Sequence, residues 1–444
     1  MPQGTYHFPK GFLWGTATAA HQVEGNNTNN NWHAWEETGH TAAKSGLAAD
    51  WWGGRWREDF DRAAETGQNA HRLSVEWSRI QPTPDTWDED AIEKYRAMLR
   101  GLRERGITPM VTLHHFTDPL WLTEKGGWET ADVIPLFEKF VSKTVNALKE
   151  YCSLWCTVNE PTGYVLNGYI NTGVDSFPPG KQDLKLAMQV QTNMIRGHAA
   201  AYHAIHLIQP EARVGFAHHH RPMLPYHSWS PLDQWLAKAF NTAINFSFPL
   251  ALADGVMRSP VGSANIPEAK GTQDYFGFNY YTQEFVTFDL GEASTLFGRH
   301  FYRKDAKRSD HDFIAIEPEG MYDGLKWVTR NFPNLPIIVS ENGINSADDS
   351  LRPGYMVQHI HQMWRAVNFN WPVKGYFHWS LVDNFEWSFG WKHRFGLWGL
   401  DTETQKRIRR ASVDLYAEIC KENGFSSEMV QKYCPDVFEK IFPS

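Results

Sequence analysis

Two glutamates, Glu160 and Glu341, each stand where an apolar run stops abruptly. Glu160 follows Ser153-Leu154-Trp155-Cys156-Thr157-Val158-Asn159 and precedes Pro161; Glu341 follows Leu335-Pro336-Ile337-Ile338-Val339-Ser340 and precedes Asn342-Gly343. Such runs, broken by Pro or Asn-Gly, predict buried strands that turn into loops at the carboxylates. Desolvating a carboxylate raises its pKa or demands a partner, so the position is costly for a residue without a task. Two such residues at two strand ends predict a pair facing one site. One acid with one nucleophile or base is what cleavage of a glycosidic bond requires.

The rest of the chain supplies elements that can hold this pair. Strand-like runs recur near 12–18, 69–75, 108–113, 153–158, 212–217, 274–280, 335–340 and 374–380. Helix-period segments lie between them, at 55–66, 88–105, 132–150, 183–208, 230–253, 318–331, 355–370 and 409–422. Strands alternating with amphipathic helices make parallel βαβ units, and eight units suit a closed (β/α)8 barrel. An open doubly wound sheet is the alternative, but no Gly-rich phosphate loop follows the first strand. The expectation is an α/β fold, one (β/α)8 catalytic domain over residues 1–444 with loop insertions at the carboxyl ends of the strands. Active sites of such barrels lie at those ends. There Glu160 and Glu341 are joined by Arg72, His115, Asn279, Tyr281, Trp379 and Glu386.

Composition sets limits. The chain is 42% hydrophobic and 21% charged, and no stretch is long enough to cross a bilayer. The segment Met1-Pro2-Gln3-Gly4-Thr5-Tyr6-His7 has neither a cationic start nor an apolar core, so it does not read as a secretory signal. Cys152, Cys156, Cys420 and Cys434 are too few and too uneven for a disulfide framework and read as buried thiols. Together these predict a cytoplasmic protein. A formal charge of −8 argues against nucleic acid or an anionic membrane as partner. Twenty tryptophans offer flat faces for sugar rings, although Trp also fills cores.

At the residues named, the chain closely resembles glycoside hydrolase family 1, the retaining β-glucosidases, β-galactosidases and their relatives. The resemblance runs from end to end. It is carried by Phe12-Leu13-Trp14-Gly15-Thr16-Ala17-Thr18-Ala19-Ala20-His21-Gln22-Val23-Glu24-Gly25 and Arg72-Leu73-Ser74-Val75-Glu76-Trp77-Ser78-Arg79-Ile80. Thr157-Val158-Asn159-Glu160-Pro161, Gly277-Phe278-Asn279-Tyr280-Tyr281, Val339-Ser340-Glu341-Asn342-Gly343 and Trp379-Ser380-Leu381-Val382-Asp383-Asn384-Phe385-Glu386-Trp387 complete it. Val158 replaces a common Phe, His115-Phe116-Thr117-Asp118 departs from the frequent His-Trp-Asp, and the segment after Ile80 is short.

The resemblance implies a metal-independent, cofactor-free hydrolase acting on small β-glycosides or short oligosaccharides. Glu341 would be the nucleophile, its charge supported by Arg72 and the Tyr281 hydroxyl. Glu160 would be the general acid and then the base, with a pKa raised by burial and a nearby negative charge. Asn159 would donate to the 2-hydroxyl. Gln22, His115, Asn279 and Glu386 would line the sugar site, Trp379 would floor it, and Trp387 would add an indole N–H. The aglycone would meet loops around Phe116, 172–179 and 283–312.

Each residue also has a plainer reading. Gln22 caps a loop, His115 is a satisfied core histidine, Arg72 is a structural ion pair, Trp379 is core and Glu386 is a solvated loop residue. His218-His219-His220 invites a metal reading, but consecutive strand residues point to opposite faces. The basic stretch 299–312 reads as a solvated loop. Two other functions compete. A silent sugar-binding protein would lack one catalytic glutamate, and both are present. A 6-phospho-β-glycosidase would place cations or hydroxyls where this chain has Glu386.

Overall fold

The computed structural model describes residues 4–171, 173–292 and 297–443. Thr172 and residues 293–296, within the expected aglycone loops, lie outside the described residues. Eight parallel strands close into a barrel: β1 (Leu13–Ala17), β2 (Ala70–Ser74), β3 (Thr108–His114), β4 (Leu154–Asn159), β5 (Arg213–His219), β6 (Phe276–Asn279), β7 (Ile337–Asn342) and β8 (Val373–Trp379). Neighbours follow chain order, and β8 returns to pair with β1 through Trp379 and Ala17. β2, β4, β6 and β7 are buried along their full length, as strands covered on both faces must be.

Helices cover the outside: α1 (Trp56–Glu65), α2 (Glu89–Glu104), α3 (Val133–Leu148), α4 (Leu184–Ile208), α5 (Pro231–Asn241), α6 (Glu319–Asn331), α7 (Arg352–Asn368) and α8 (Ser412–Glu422). Their starts are written locally. Asp88 caps α2 by accepting from Ala91 N at 2.9 Å, and Asp183 caps α4 by accepting from Leu186 N at 3.0 Å. Their apolar stripes, such as Ile92, Tyr95, Leu99 and Leu102 on α2, face the barrel.

Two segments differ from the sequence reading. The helix expected over 230–253 is split by a π turn, Thr242–Phe246, before Ser247–Asp254 resumes. Asn245 in that turn accepts from Arg221 N at 2.8 Å and donates to Arg221 O at 2.9 Å, so it clamps the chain just beyond β5. The stretch 299–312 is not loop throughout. It begins in strand Gly298–Phe301, which pairs antiparallel with Glu284–Phe288, itself beside Met223–Pro225.

Candidate active site

Three register shifts sit at the carboxyl end of the barrel, between Cys156 and Asn159, Phe278 and Asn279, and Val339 and Asn342. A shift of this kind re-aims the side chains that follow it. Here those chains include Asn159, Asn279 and Glu341. Glu160 leaves β4 in the left-handed region, at φ 41° and ψ 54°, with its N–H donating to Ala217 O at 2.7 Å. Pro161 then opens the helix Pro161–Tyr169, a position that needs no N–H. After Glu341 the chain passes close to β8. A Cβ on Gly343 would lie 2.0 Å from the Trp379 carbonyl oxygen, so only glycine fits.

Arg72 projects from β2 into the centre. It is wholly buried, and its guanidinium is fully engaged. One terminal nitrogen meets Glu341 Oε1 at 2.5 Å, the other meets Asn159 Oδ1 at 2.6 Å, and Nε donates to Thr112 Oγ1 at 2.9 Å. Tyr281 donates its hydroxyl to Glu341 Oε2 at 2.6 Å. Both oxygens of Glu341 therefore receive donors, one of them charged, and that favours the carboxylate. Since Asn159 Oδ1 faces Arg72, its amide nitrogen faces His115 and donates to Nε2 at 3.1 Å. Burial, with Arg72 nearby, holds His115 far below the usual histidine range. It is neutral and carries its proton on Nδ1.

Glu160 is differently served. Asn279 donates to its Oε1 at 2.8 Å, and Ser340 Oγ fixes the Asn279 amide by donating to Oδ1 at 2.7 Å. His219 Nδ1 stands 3.4 Å from Oε2. Burial pushes Glu160 up to about 7, against the Asn279 hydrogen bond and the charges of Arg72 and Arg221. Burial and the repulsion from Glu160 push Glu341 up as well, to about 7, opposed by Arg72 and Tyr281. Two interacting carboxyls take up protons as a pair. The cationic donor on Glu341 decides the placement: the charge stays there, and the shared proton goes to Glu160.

The remaining expected residues gather around this pair. Gln22 donates to Phe385 O at 2.7 Å and to Glu386 Oε2 at 3.3 Å. Burial, then the Glu341 charge, pushes Glu386 up to about 8. Trp379 ends β8 beside His115, their rings near parallel at 6.1 Å. The Trp379–Ser380 peptide is cis. Trp387 lies near parallel to His115 at 5.9 Å and edge-on to Phe116 at 5.2 Å. Gln22 Oε1 and His115 Nδ1 are buried with no partner among the described residues. The loop carrying Glu386 is anchored by Asp383, which pairs with both terminal nitrogens of Arg410 at 2.7 and 2.9 Å.

Sequence reasoning missed His219 and Arg221. The alternation that argues against a metal at the three consecutive histidines also separates them. His218 packs outward against Phe216 and Phe276, whereas His219 meets Glu160 and Tyr281. Side chains alternate along a strand, so residue 219 faces the opposite way from 218 and 220; that parity was the available signal.

A buried pair of carboxyls at the carboxyl end of a closed (β/α)8 barrel, one facing arginine and one facing neutral groups, suits cleavage of a glycosidic bond. The model of glycosyl hydrolase family 1 matches residues 5–425. β-Glucosidase A of Thermotoga maritima is 30% identical over 456 residues, covering 94% of this chain and 98% of that protein. The structure of a β-glycosidase from Pyrococcus horikoshii superposes with a TM-score of 0.90 at 35% identity, covering 97% of this chain and 98% of the other. A Thermotoga maritima β-glucosidase in complex with glucoimidazole gives 0.87 at 29% identity, covering 95% and 100%. The chain belongs to glycosyl hydrolase family 1 and is a retaining β-glycosidase.

Proposed function

We propose that Glu341 is the nucleophile and Glu160 the acid, then base, in hydrolysis of terminal β-D-glucosyl residues, with β-galactosyl and β-fucosyl residues also accepted. The observation that carries this reading is the unequal environment of the two carboxyls. Glu341 has Arg72 and Tyr281 on its two oxygens, while Glu160 has a neutral amide and a neutral imidazole.

In the first step a Glu341 oxygen attacks the anomeric carbon as the bond to the leaving oxygen breaks. Glu160 gives its proton to that oxygen and becomes a carboxylate. In the second step Glu160 takes a proton from water as the water oxygen attacks the same carbon. The bond to Glu341 breaks, and both glutamates return to their starting states. Asn159 keeps one amide hydrogen free of His115 for the 2-hydroxyl. His115 Nδ1–H and the Gln22 amide oxygen, both buried and unpartnered, suit the adjacent hydroxyls. Glu386 takes the far rim, and Trp379 forms the floor.

We take residues 1–444 as one catalytic domain working in a reducing compartment, because all four cysteines are free and buried. Among the described residues no helix is long and apolar enough to cross a membrane. A 2-deoxy-2-fluoro-β-glucoside with a dinitrophenol leaving group tests the roles. The expected result is a stable glycosyl ester on the peptide holding Glu341; an ester on Glu160, or none with an active enzyme, overturns them.

A further inference from the structure

Glu160 is flanked from two adjacent strands. Asn279 ends β6 and donates to Oε1, while His219 ends β5 with Nδ1 3.4 Å from Oε2. The two are direct partners in the β5–β6 ladder, and His220 N donates to Asn279 O at 2.8 Å. Beyond them the Asn245 clamp on both backbone polar groups of Arg221 fixes the strand end. His219 thus rides on backbone tied to the other partner of Glu160 and to the π turn.

We propose that His219 is a positioning residue for the acid/base, donating Nδ1–H to Glu160 Oε2 when that carboxyl is ionised. The proposal rests on Glu160 being the acid/base. Oε1 already accepts from Asn279, so the proton of the acid form belongs on Oε2. An ionised Oε2 can only accept, so the facing imidazole nitrogen must carry hydrogen. In the acid form that same N–H cannot accept the Glu160 proton, which is turned toward the leaving oxygen instead. At 3.4 Å the contact is long, as catalytic hydrogen bonds often are before substrate closes the site. Burial, with Arg221 close by, holds His219 down to about 4, so it stays neutral through the working range.

Other groups also bear on Glu160. Arg72 faces it from β2, Glu341 from β7 and Tyr281 from the turn after β6. Glu386 faces it from the loop after β8, and Arg221, paired with Glu284, from beyond β5. Of these groups Tyr281 touches the His219 ring edge to face at 5.9 Å, a contact that His219→Phe keeps, so a shift in the titration of Glu160 shared by His219→Phe and His219→Ala reports on the imidazole N–H.

A donor to the charged form lowers a carboxyl pKa, and removing it raises the pKa. In His219→Phe and His219→Ala the alkaline limb of kcat/KM should move up by about one pH unit. With dinitrophenyl β-glucoside, where the second step limits, kcat should fall about tenfold because the base is no longer aimed. Azide needs no base and should restore it. His219→Asn, which keeps an N–H, should hold the limb near its original place. An unmoved limb, or a loss that azide does not repair, overturns the proposal. If neither deletion variant folds, the 15N shifts of His219 in the native enzyme decide, and a proton on Nε2 rather than Nδ1 overturns it. Glu160→Ala is run beside them. If that variant shows neither leaving-group dependence nor azide rescue, the Glu160 reading itself fails; if it shows both while the His219 variants are silent, only this inference does.

Discussion

Arg72 Nη1 lies 2.5 Å from Glu341 Oε1, and its partner nitrogen lies 2.6 Å from Asn159 Oδ1. A buried guanidinium is costly unless its donors are used. Here it ties the end of β7 to the end of β4, so the Glu341 carboxylate and the Asn159 amide, proposed as nucleophile and 2-hydroxyl donor, share one rigid support. It also breaks the symmetry of two buried glutamates. Coulomb attraction at this distance favours charge on Glu341 and leaves the proton to Glu160.

Removing the attacking group follows first from this geometry. Glu341→Gly should lower kcat for aryl β-glucosides by at least about 10⁴-fold, the scale seen when a catalytic nucleophile is deleted. The cleared space lies on the face opposite the leaving group. Added azide should therefore enter there and give an α-configured glucosyl azide, identified by proton NMR. A rescued product of β configuration contradicts the assignment.

Under the proposed function, the acid form of Glu160 is the active one for the first step. Because burial pushes its pKa up to about 7, activity should fall as pH rises through that value. The acid limb comes from protonating the pair a second time, so kcat/KM against pH should be bell-shaped, with apparent values belonging to the pair. In Glu160→Ala the alkaline limb should disappear. The first step should lose little for dinitrophenol, which leaves without a proton, and about 10²–10⁴-fold for an alkyl alcohol. Equal losses with both leaving groups would show that Glu160 is not the acid.

The sequence was legible where pattern and chemistry agreed. All eight barrel strands lie within a residue or two of their expected positions, because each is an apolar run bounded by turn residues. Glu160, Glu341, Arg72, Asn159 and Tyr281 were legible as a set, and their distances bring them together. What escaped depended on register or on competing side chains. The π turn at Thr242–Phe246 keeps helical periodicity, so nothing in the pattern separates it from an α-helix. Its purpose appears only when Asn245 is seen to bind Arg221. His219 was hidden by its neighbours, since three consecutive histidines suggest a metal before they suggest one inward residue between two outward ones. Of the two causes expected for the raised Glu160 pKa, burial and a nearby negative charge, burial is the leading one, while the repulsion between the two carboxyls acts on Glu341.

Glu386 links the sugar site to stability. Its carboxyl is pushed from 4.5 up to about 8 in the folded protein. A raised pKa gives stability that is fully present below the unfolded value and is lost as pH rises through the folded one. Glu386→Gln removes the charge that must be buried at high pH. The variant should melt about 2 °C above the native enzyme at pH 8, and the difference should vanish below pH 5. Differential scanning calorimetry at both values checks it; a gain that persists at low pH would point to packing instead of charge.

The same residue should govern choice of sugar. Glu386 has Gln22 on one side and forms no salt bridge among the described residues, and under the proposed function its remaining capacity would serve the far rim of the glycone. A site built to bond hydroxyls discriminates strongly when the bond is lost, because a buried polar group is left unpaired. A 6-phosphate brought to this rim would meet a carboxyl and no cation, and the native enzyme should reject it. Glu386→Ser supplies a hydroxyl and removes the carboxyl, whose charge above about pH 8 would repel a phosphate. Its kcat/KM should fall about 10- to 100-fold for p-nitrophenyl β-glucoside, the scale of a buried polar group left unpaired. For the 6-phosphoglucoside it should fall far less, or rise. Native preference for the phosphorylated substrate, or full glucosidase activity in the variant, would remove Glu386 from the sugar site and return the 6-phospho-β-glycosidase reading to contention.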